Sequence, residues 1–177
     1  KGALDGIWFT ANMPTEEVFS CPDRRTANGK LVAAMPLCRN GQIIKNFWFT
    51  FENGKITDYG AEEGYENLKS IIETDEGSHY LGEIALVGYN SPIRNLNTLF
   101  YETLFDENAS CHFAIGDCYP TCLQGGGELT KDELLNRGLN SSIEHVDFMV
   151  GTSDLEITAT CEEGKRLKIF ENGEWVI

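Results

Sequence analysis

Two of the Asn-Gly pairs in this chain interrupt runs of apolar and β-branched residues, which commits the flanking segments to antiparallel strands. The first pair lies in Glu52-Asn53-Gly54-Lys55, entered from Gln42 to Phe51 and left through Ile56-Thr57-Asp58-Tyr59. The second lies in Glu171-Asn172-Gly173-Glu174, between Leu167-Lys168-Ile169-Phe170 and Trp175-Val176-Ile177. A two-residue hairpin needs left-handed backbone at both central positions, and Asn followed by Gly accepts that at low cost. Residues beyond the turns do not align, so convergent turn chemistry explains the pair better than duplication.

Further strands are expected at Gly6 to Thr10, Glu83 to Tyr89, Leu99 to Leu104, Cys111 to Ile115, His145 to Val150 and Leu155 to Cys161. Helices are few. One is expected at Tyr65 to Glu73, where Leu68, Ile71 and Ile72 share a face. Another opens on the capping-box pattern Thr130-Lys131-Asp132-Glu133 and stops at Gly138. Strands with occasional short helices and no βαβ rhythm indicate an α+β fold around an antiparallel or barrel-like sheet. No stretch reads as a linker, so residues 1–177 form one unit. Gly125-Gly126-Gly127 lacks the Lys-Ser/Thr ending of a phosphate loop.

The balance of 14 Lys+Arg against 28 Asp+Glu gives a net charge of -14, which argues against nucleic acid or an anionic membrane as partner. No run approaches the roughly 20 apolar residues that span a bilayer, and Lys1-Gly2-Ala3-Leu4-Asp5 lacks a signal-peptide core, so a cytoplasmic location is expected. Cys21, Cys38, Cys111, Cys118, Cys122 and Cys161 are too irregularly spaced for a disulfide scaffold and read as free thiols. The chain does not begin with Met, which suits a piece of something longer.

His145-Val146-Asp147 heads an apolar stretch, His145 to Val150. Residues two apart on a strand share a face, so imidazole and carboxylate converge where water is scarce and a divalent cation is the natural partner. One His-x-Asp is more often a satisfied core or surface feature than a ligand pair, but other segments strengthen the metal reading. His112 also falls in an apolar, strand-like setting, whereas His79 lies in the polar turn Asp75-Glu76-Gly77-Ser78-His79 and is discounted. Glu83 stands at the entrance of Glu83-Ile84-Ala85-Leu86-Val87, and Glu16 and Glu17 follow a proline-led turn into Val18-Phe19. Together these residues supply what a two-metal hydrolase needs: carboxylates to bridge and terminate two cations, imidazoles to cap them, and a spare acid for proton transfer.

Four segments, in order, carry a resemblance: Asn12-Met13-Pro14-Thr15-Glu16-Glu17-Val18-Phe19 with Pro22-Asp23-Arg24-Arg25; Leu81-Gly82-Glu83-Ile84-Ala85-Leu86-Val87; Leu104-Phe105-Asp106-Glu107-Asn108-Ala109-Ser110-Cys111-His112; and His145-Val146-Asp147-Phe148-Met149. Over nearly its whole length the chain resembles the metallo-aminopeptidases typified by aminopeptidase T and aminopeptidase S, the thermophilic metalloprotease family. The resemblance implies the C-terminal metal-binding, catalytic domain of a longer two-domain aminopeptidase whose N-terminal α/β domain is absent from this chain. It implies two divalent ions, zinc or cobalt first and manganese or magnesium next, held by Glu17, Glu83, His112, Tyr119, His145 and Asp147. Tyr119 is a residue that the sequence alone does not single out. A phenol titrates near pH 10 in water, so its ligation requires the field of a cation.

In that scheme Glu83 or Asp147 bridges the cations, His112 and His145 each bind one, and Glu17 and Tyr119 complete the shells. A water held between the metals attacks the N-terminal peptide bond of a peptide with a free amino terminus. Glu16 is the general-base candidate, although neighbours in an extended segment point opposite ways and the choice between Glu16 and Glu17 as ligand rests on spacing. The family likeness also implies a homodimer for the full-length protein, and low activity for this piece if the other domain walls the cavity. A noncatalytic β-rich binding or assembly domain with a structural ion is the alternative. A glycosidase with paired carboxylates is more distant, since it leaves both histidines without a purpose.

Overall fold

The computed structural model describes residues 16–177, so the strand expected at Gly6 to Thr10 lies outside the described residues. Twelve strands and four short helices alternate without βαβ order: β1 Val18–Ser20, β2 Gly29–Val32, β3 Leu37–Arg39, β4 Gln42–Ile44, β5 Trp48–Glu52, β6 Lys55–Gly60, α1 Tyr65–Ile72, β7 Leu81–Leu86, α2 Pro92–Asn95, α3 Thr103–Asp106, β8 His112–Gly116, α4 Lys131–Asn136, β9 His145–Met149, β10 Ile157–Thr160, β11 Arg166–Glu171 and β12 Glu174–Trp175. The strands form a four-stranded sheet in the order β1-β7-β8-β9, three-stranded sheets β2-β5-β6 and β10-β11-β12, and the pair β3-β4. Every pairing among the described strands is antiparallel, and the sheets do not close into a barrel. The α+β, antiparallel expectation holds, and its barrel-like variant does not.

Both of these Asn-Gly turns form as the sequence requires, and a third pair, Asn40 (φ 52°) and Gly41 (φ 74°), joins β3 to β4. Asn53 (φ 49°) and Gly54 (φ 89°) join β5 to β6, and Asn172 (φ 52°) and Gly173 (φ 75°) join β11 to β12. At α4 the Thr130 hydroxyl accepts the Glu133 N–H while the Glu133 carboxylate accepts the Thr130 N–H, a complete capping box.

Two sequence expectations are corrected. The run Gln42 to Phe51 is two strands, because Asn46 adopts φ 50° and breaks the extended chain; β4 then turns to β3 while β5 joins β2 and β6. Leu99 to Leu104 is not a strand. Asn97 (φ 47°) and Tyr101 (φ 61°) fold the backbone, the buried Asp106 carboxylate accepts the Phe100 N–H at 2.8 Å, and the segment runs into α3.

The main core lies between one face of β7-β8-β9 and the β2-β5-β6 sheet with α1. Leu81, Ile115, Val146 and Phe148 meet Phe49, Phe51, Ile56, Leu68, Ile71 and Ile72 there, all buried. Phe148 is its hub, with ring centroids 5.0 Å from Phe49 and 5.9 Å from Phe47. This burial holds one face of the central sheet and leaves the other for chemistry.

Asp75 ties the segment after α1 to the entrance of β9. Its Oδ1 accepts the Ser78 N–H (2.9 Å) and the Ser142 hydroxyl (2.7 Å), and its Oδ2 accepts the Ile143 N–H (2.8 Å). Burial alone would raise its pKa, but these donors bring it from its ordinary 3.8 down to about 2. A lowered carboxylate pKa stabilises the folded chain fully above pH 3.8, and the contribution disappears as pH falls through about 2. Asp75→Asn should cost about 1–2 kcal/mol at neutral pH. Chemical denaturation across pH checks this, with the gap between variant and wild type closing below pH 3.8.

Candidate metal centre

Register decides which side chains meet. Glu83 of β7 pairs with Ala114 of β8, which pairs with Asp147 of β9; beside that row Ala85 pairs with His112 and His112 with Met149, and Gly116 pairs with His145. Directly paired residues share a face and alternate residues return to it, so Glu83, His112, His145 and Asp147 all point away from the aromatic core. Phe19 of β1 pairs with Ala85 of that face, and Glu17, two residues earlier, joins it. Ala85 and Ala114, both 0% exposed, are small enough to leave room between the polar groups.

Two glycines permit the close approach. Gly82 occupies a register shift just ahead of Glu83, where a β-carbon would lie 2.0 Å from the Asp117 carbonyl oxygen. Gly116 ends β8 at φ 101°, where a β-carbon would lie 2.1 Å from the Glu144 carbonyl oxygen, one residue before His145.

Three overlapping groups of ligand atoms result: Glu17, Glu83 and His112; Glu83, His145 and Asp147; Glu107, His112 and Asp147, with all atoms of a group within 4.8 Å of one another. Both imidazoles are held in one tautomer. His112 Nδ1 lies 3.2 Å from the Ser110 carbonyl and His145 Nδ1 2.8 Å from the Asp117 carbonyl, so each donates its Nδ1 proton to backbone and presents Nε2 to the carboxylates. His145 Nε2 lies 3.4 Å from both Glu83 Oε2 and Asp147 Oδ1. His112 Nε2, on a side chain only 1% exposed, lies 3.2 Å from Glu17 Oε2 and 3.9 Å from Glu83 Oε1, without a directed hydrogen bond among the described residues. A buried ring nitrogen aimed at carboxylates in this way fits a divalent cation, and imidazole with carboxylate is a donor set for zinc, cobalt or manganese.

The electrostatics agree. Burial pulls the His112 pKa down, but the Glu17 carboxylate, with Asp147, lifts it to about 9 from 6.5. Burial also opposes His145, and Asp147 with Glu83 lifts it to about 11. Glu107 rises from 4.5 to about 8, first through burial and then through repulsion by Asp147. Concentrated negative charge here retains protons where cations would otherwise sit.

The cluster opens on a cavity of about 420 Å³ lined by Glu17, Glu83, Glu107, His145 and Asp147 together with Phe19, Thr103, Leu104, Tyr119 and Thr121. The Tyr119 ring packs against His145 (centroids 5.4 Å apart) and Phe19 (6.1 Å), and burial raises its phenol pKa although the nearby His145 charge lowers it. Five of the six sequence-derived ligand positions thus enter the ligand groups, and the sixth, Tyr119, stands in the cavity wall.

Glu16 is exposed, its N–H 3.5 Å from Asn108 Oδ1, and is not among the cavity-lining residues. Alternation along the extended chain sends it away from the side that Glu17 takes. His79 is also outside the cluster, with Nδ1 3.3 Å from the Asp75 carbonyl. All six cysteines are free, and none enters a ligand group among the described residues. Glu107 is the residue that the sequence reading missed. It sits in a short 3₁₀ turn, Glu107–Ala109, so no strand alternation points to it; its signal is the adjacent pair Asp106-Glu107 just before His112.

Comparison with known proteins follows the same lines. The chain is 54% identical to aminopeptidase AmpS of Bacillus subtilis (strain 168) over 170 residues, 96% of this chain and 42% of the relative. It is 42% identical to aminopeptidase T of Thermus aquaticus over 166 residues, 94% of this chain and 40% of that protein. The solved structure of wild-type AmpT from Thermus thermophilus superposes with a TM-score of 0.88 at 38% identity, covering 94% of this chain and 41% of that one. The chain therefore spans about two fifths of the length of these relatives. These likenesses define the class, relatives of aminopeptidases. Within it, the chain belongs to the Thermophilic metalloprotease (M29) family, matched over residues 1–175. Membership implies a divalent metal ion.

The close approach at Gly116 yields a test. Gly116→Ala should cost about 1–3 kcal/mol through strain at a positive φ. By displacing the backbone before His145 it should also weaken cation binding in the fraction that folds. Denaturation and metal titration read the two effects separately, and unchanged affinity would show that this contact does not position His145.

Proposed function

We propose that this chain is the C-terminal, metal-binding domain of a longer aminopeptidase and that it holds two divalent cations which act on the N-terminal peptide bond of peptide substrates. The observation that carries this reading is charge balance in the cluster. Glu17, Glu83, Glu107 and Asp147 bring four carboxylates to the three overlapping ligand groups, with two imidazoles as neutral donors. Two divalent cations match the charge of four carboxylates gathered in a site where buried charge is costly. Glu83 belongs to the groups containing Glu17 and His112 on one side and His145 and Asp147 on the other, which suits a bridging carboxylate. Glu107 adds a ligand shared with His112 and Asp147, and Tyr119 completes a shell through its phenol oxygen once a cation's field overcomes the effect of burial.

Held by these residues, such ions would supply polarisation of a peptide carbonyl and activation of water near neutral pH, the chemistry that peptide hydrolysis requires. The chain's own residues supply the rest. Ser110 and Asp117 carbonyls keep both imidazoles in the ligating tautomer, and the aromatic core fixes the sheet that aims them. An ion with only a structural role would suit a closed shell, but this cluster faces a cavity of about 420 Å³ with room for substrate. The relatives, aminopeptidases AmpS and T among them, support the same reading.

Mass-spectrometric metal analysis and calorimetric titration with zinc or cobalt should give two ions per chain. Glu83→Gln should weaken both sites by about tenfold or more, and Asp147→Asn should act mainly on one. Turnover of aminoacyl chromogenic amides should follow metal loading. One ion per chain, or Glu83→Gln leaving both affinities intact, would overturn the two-cation reading.

A further inference from the structure

Asn140 lies between α4 and β9, buried to 2% exposure, and joins two parts of the chain that are distant in sequence. Its Nδ2 donates to the Gly116 carbonyl at 2.6 Å and to the Gly77 carbonyl at 2.8 Å, which uses both of its protons. Its backbone N–H donates to the Cys118 sulfur. One residue thus ties the end of β8 to the 3₁₀ turn Gly77–His79 ahead of β7. That turn is itself pressed close, since a β-carbon at Gly77 would lie 2.0 Å from the Ser141 carbonyl oxygen. Asn140 Oδ1, by contrast, is buried without a hydrogen-bond donor among the described residues. An unsatisfied buried acceptor is destabilising, and the two bonds donated by Nδ2 are what offset it.

The segment held in this way, Gly116 to Tyr119, orients part of the ligand cluster. The Asp117 carbonyl accepts the His145 Nδ1 proton at 2.8 Å, its N–H donates to the Glu144 carbonyl at 2.6 Å, and its Oδ1 accepts the Ser142 N–H at 3.1 Å. Tyr119, two residues on, packs its ring against His145. The Gly116 N–H meets the Tyr80 carbonyl at 2.9 Å, so with Asn140 on its carbonyl both polar groups of Gly116 are committed.

We infer that Asn140 is a positioning residue for the metal centre: by holding the Gly116 carbonyl it fixes the Asp117 carbonyl that orients His145, together with the placement of Tyr119, and so sets the affinity for the cation on the His145 side. The inference rests on the two-cation reading above and deepens it. Partners that orient a ligating imidazole tune how tightly the metal is held. His112 is oriented by a different carbonyl, that of Ser110, at the opposite end of β8. The cation on the His112 side should therefore not depend on Asn140.

Calorimetric titration with zinc of Asn140→Ala and Asn140→Asp tests this on the whole chain. The second variant keeps the size and shape of the side chain but sets an acceptor where the amide donates. Each should weaken the cation on the His145 side about tenfold and leave the one on the His112 side unchanged, whereas a merely structural role would weaken both alike. Backbone hydrogen exchange in the cation-free protein gives an independent readout: the Asp117 amide should exchange about tenfold faster in the variants, and amides in the middle of β8 and β9 should not. Affinities that fall together, affinities that do not move, or unchanged exchange at Asp117 would each overturn the inference. A wild-type chain that takes up a single ion would overturn the two-cation reading instead, and the exchange comparison, with the retention or loss of that ion in Asn140→Ala, would still decide the role of Asn140.

Discussion

Four carboxylates drawn onto one buried face of a sheet repel one another, and the molecule is organised around that constraint. Such a cluster survives only if positive charge is supplied and if the scaffold resists being pushed apart. The scaffold's answer is the opposite face of the same strands. Ile115, Val146 and Phe148 alternate with Ala114, His145 and Asp147, so β8 and β9 bury apolar groups behind and turn ligand side chains or the small Ala114 to the front. Slipping β9 by one residue would put His145 and Asp147 among phenylalanines, and slipping β8 would put His112 there, which makes the register self-enforcing.

Much of this was legible before any coordinates. The two Asn-Gly hairpins, the Thr130 capping box and α1 rest on local chemistry, and local chemistry is what a short window of sequence encodes. His145-Val146-Asp147 could be read as a site because period-two alternation carries side-chain direction as well as strand identity. What escaped depended on single residues in unusual backbone or on long-range pairing. Asn46 splits an otherwise uniform apolar run, and Tyr101 at positive φ turns a strand-like segment toward α3. The short strands β1 and β2 carry too few residues to declare themselves, and their existence depends on partners distant in sequence.

The site shows the same division. Glu83, His112, His145 and Asp147 lie on strands, so their convergence follows from alternation plus register. Glu107 arrives from a 3₁₀ turn, where direction is set by tertiary packing, and its neighbour Asp106 spends its carboxylate on the Phe100 backbone instead. Family resemblance supplied Tyr119, which alternation could not, since it lies beyond the end of β8 in an irregular segment. Glu16 and Glu17 are the instructive pair: identical chemistry, adjacent positions, and opposite sides of an extended chain.

If this face holds two cations that share Glu83, anomalous diffraction from crystals soaked in zinc or cobalt should show two peaks roughly 3.5 to 4 Å apart, one toward Glu17 and His112 and the other toward His145 and Asp147, with the Glu83 carboxylate between them. A single peak, or density confined to other acidic residues while this cluster stays empty, would contradict it.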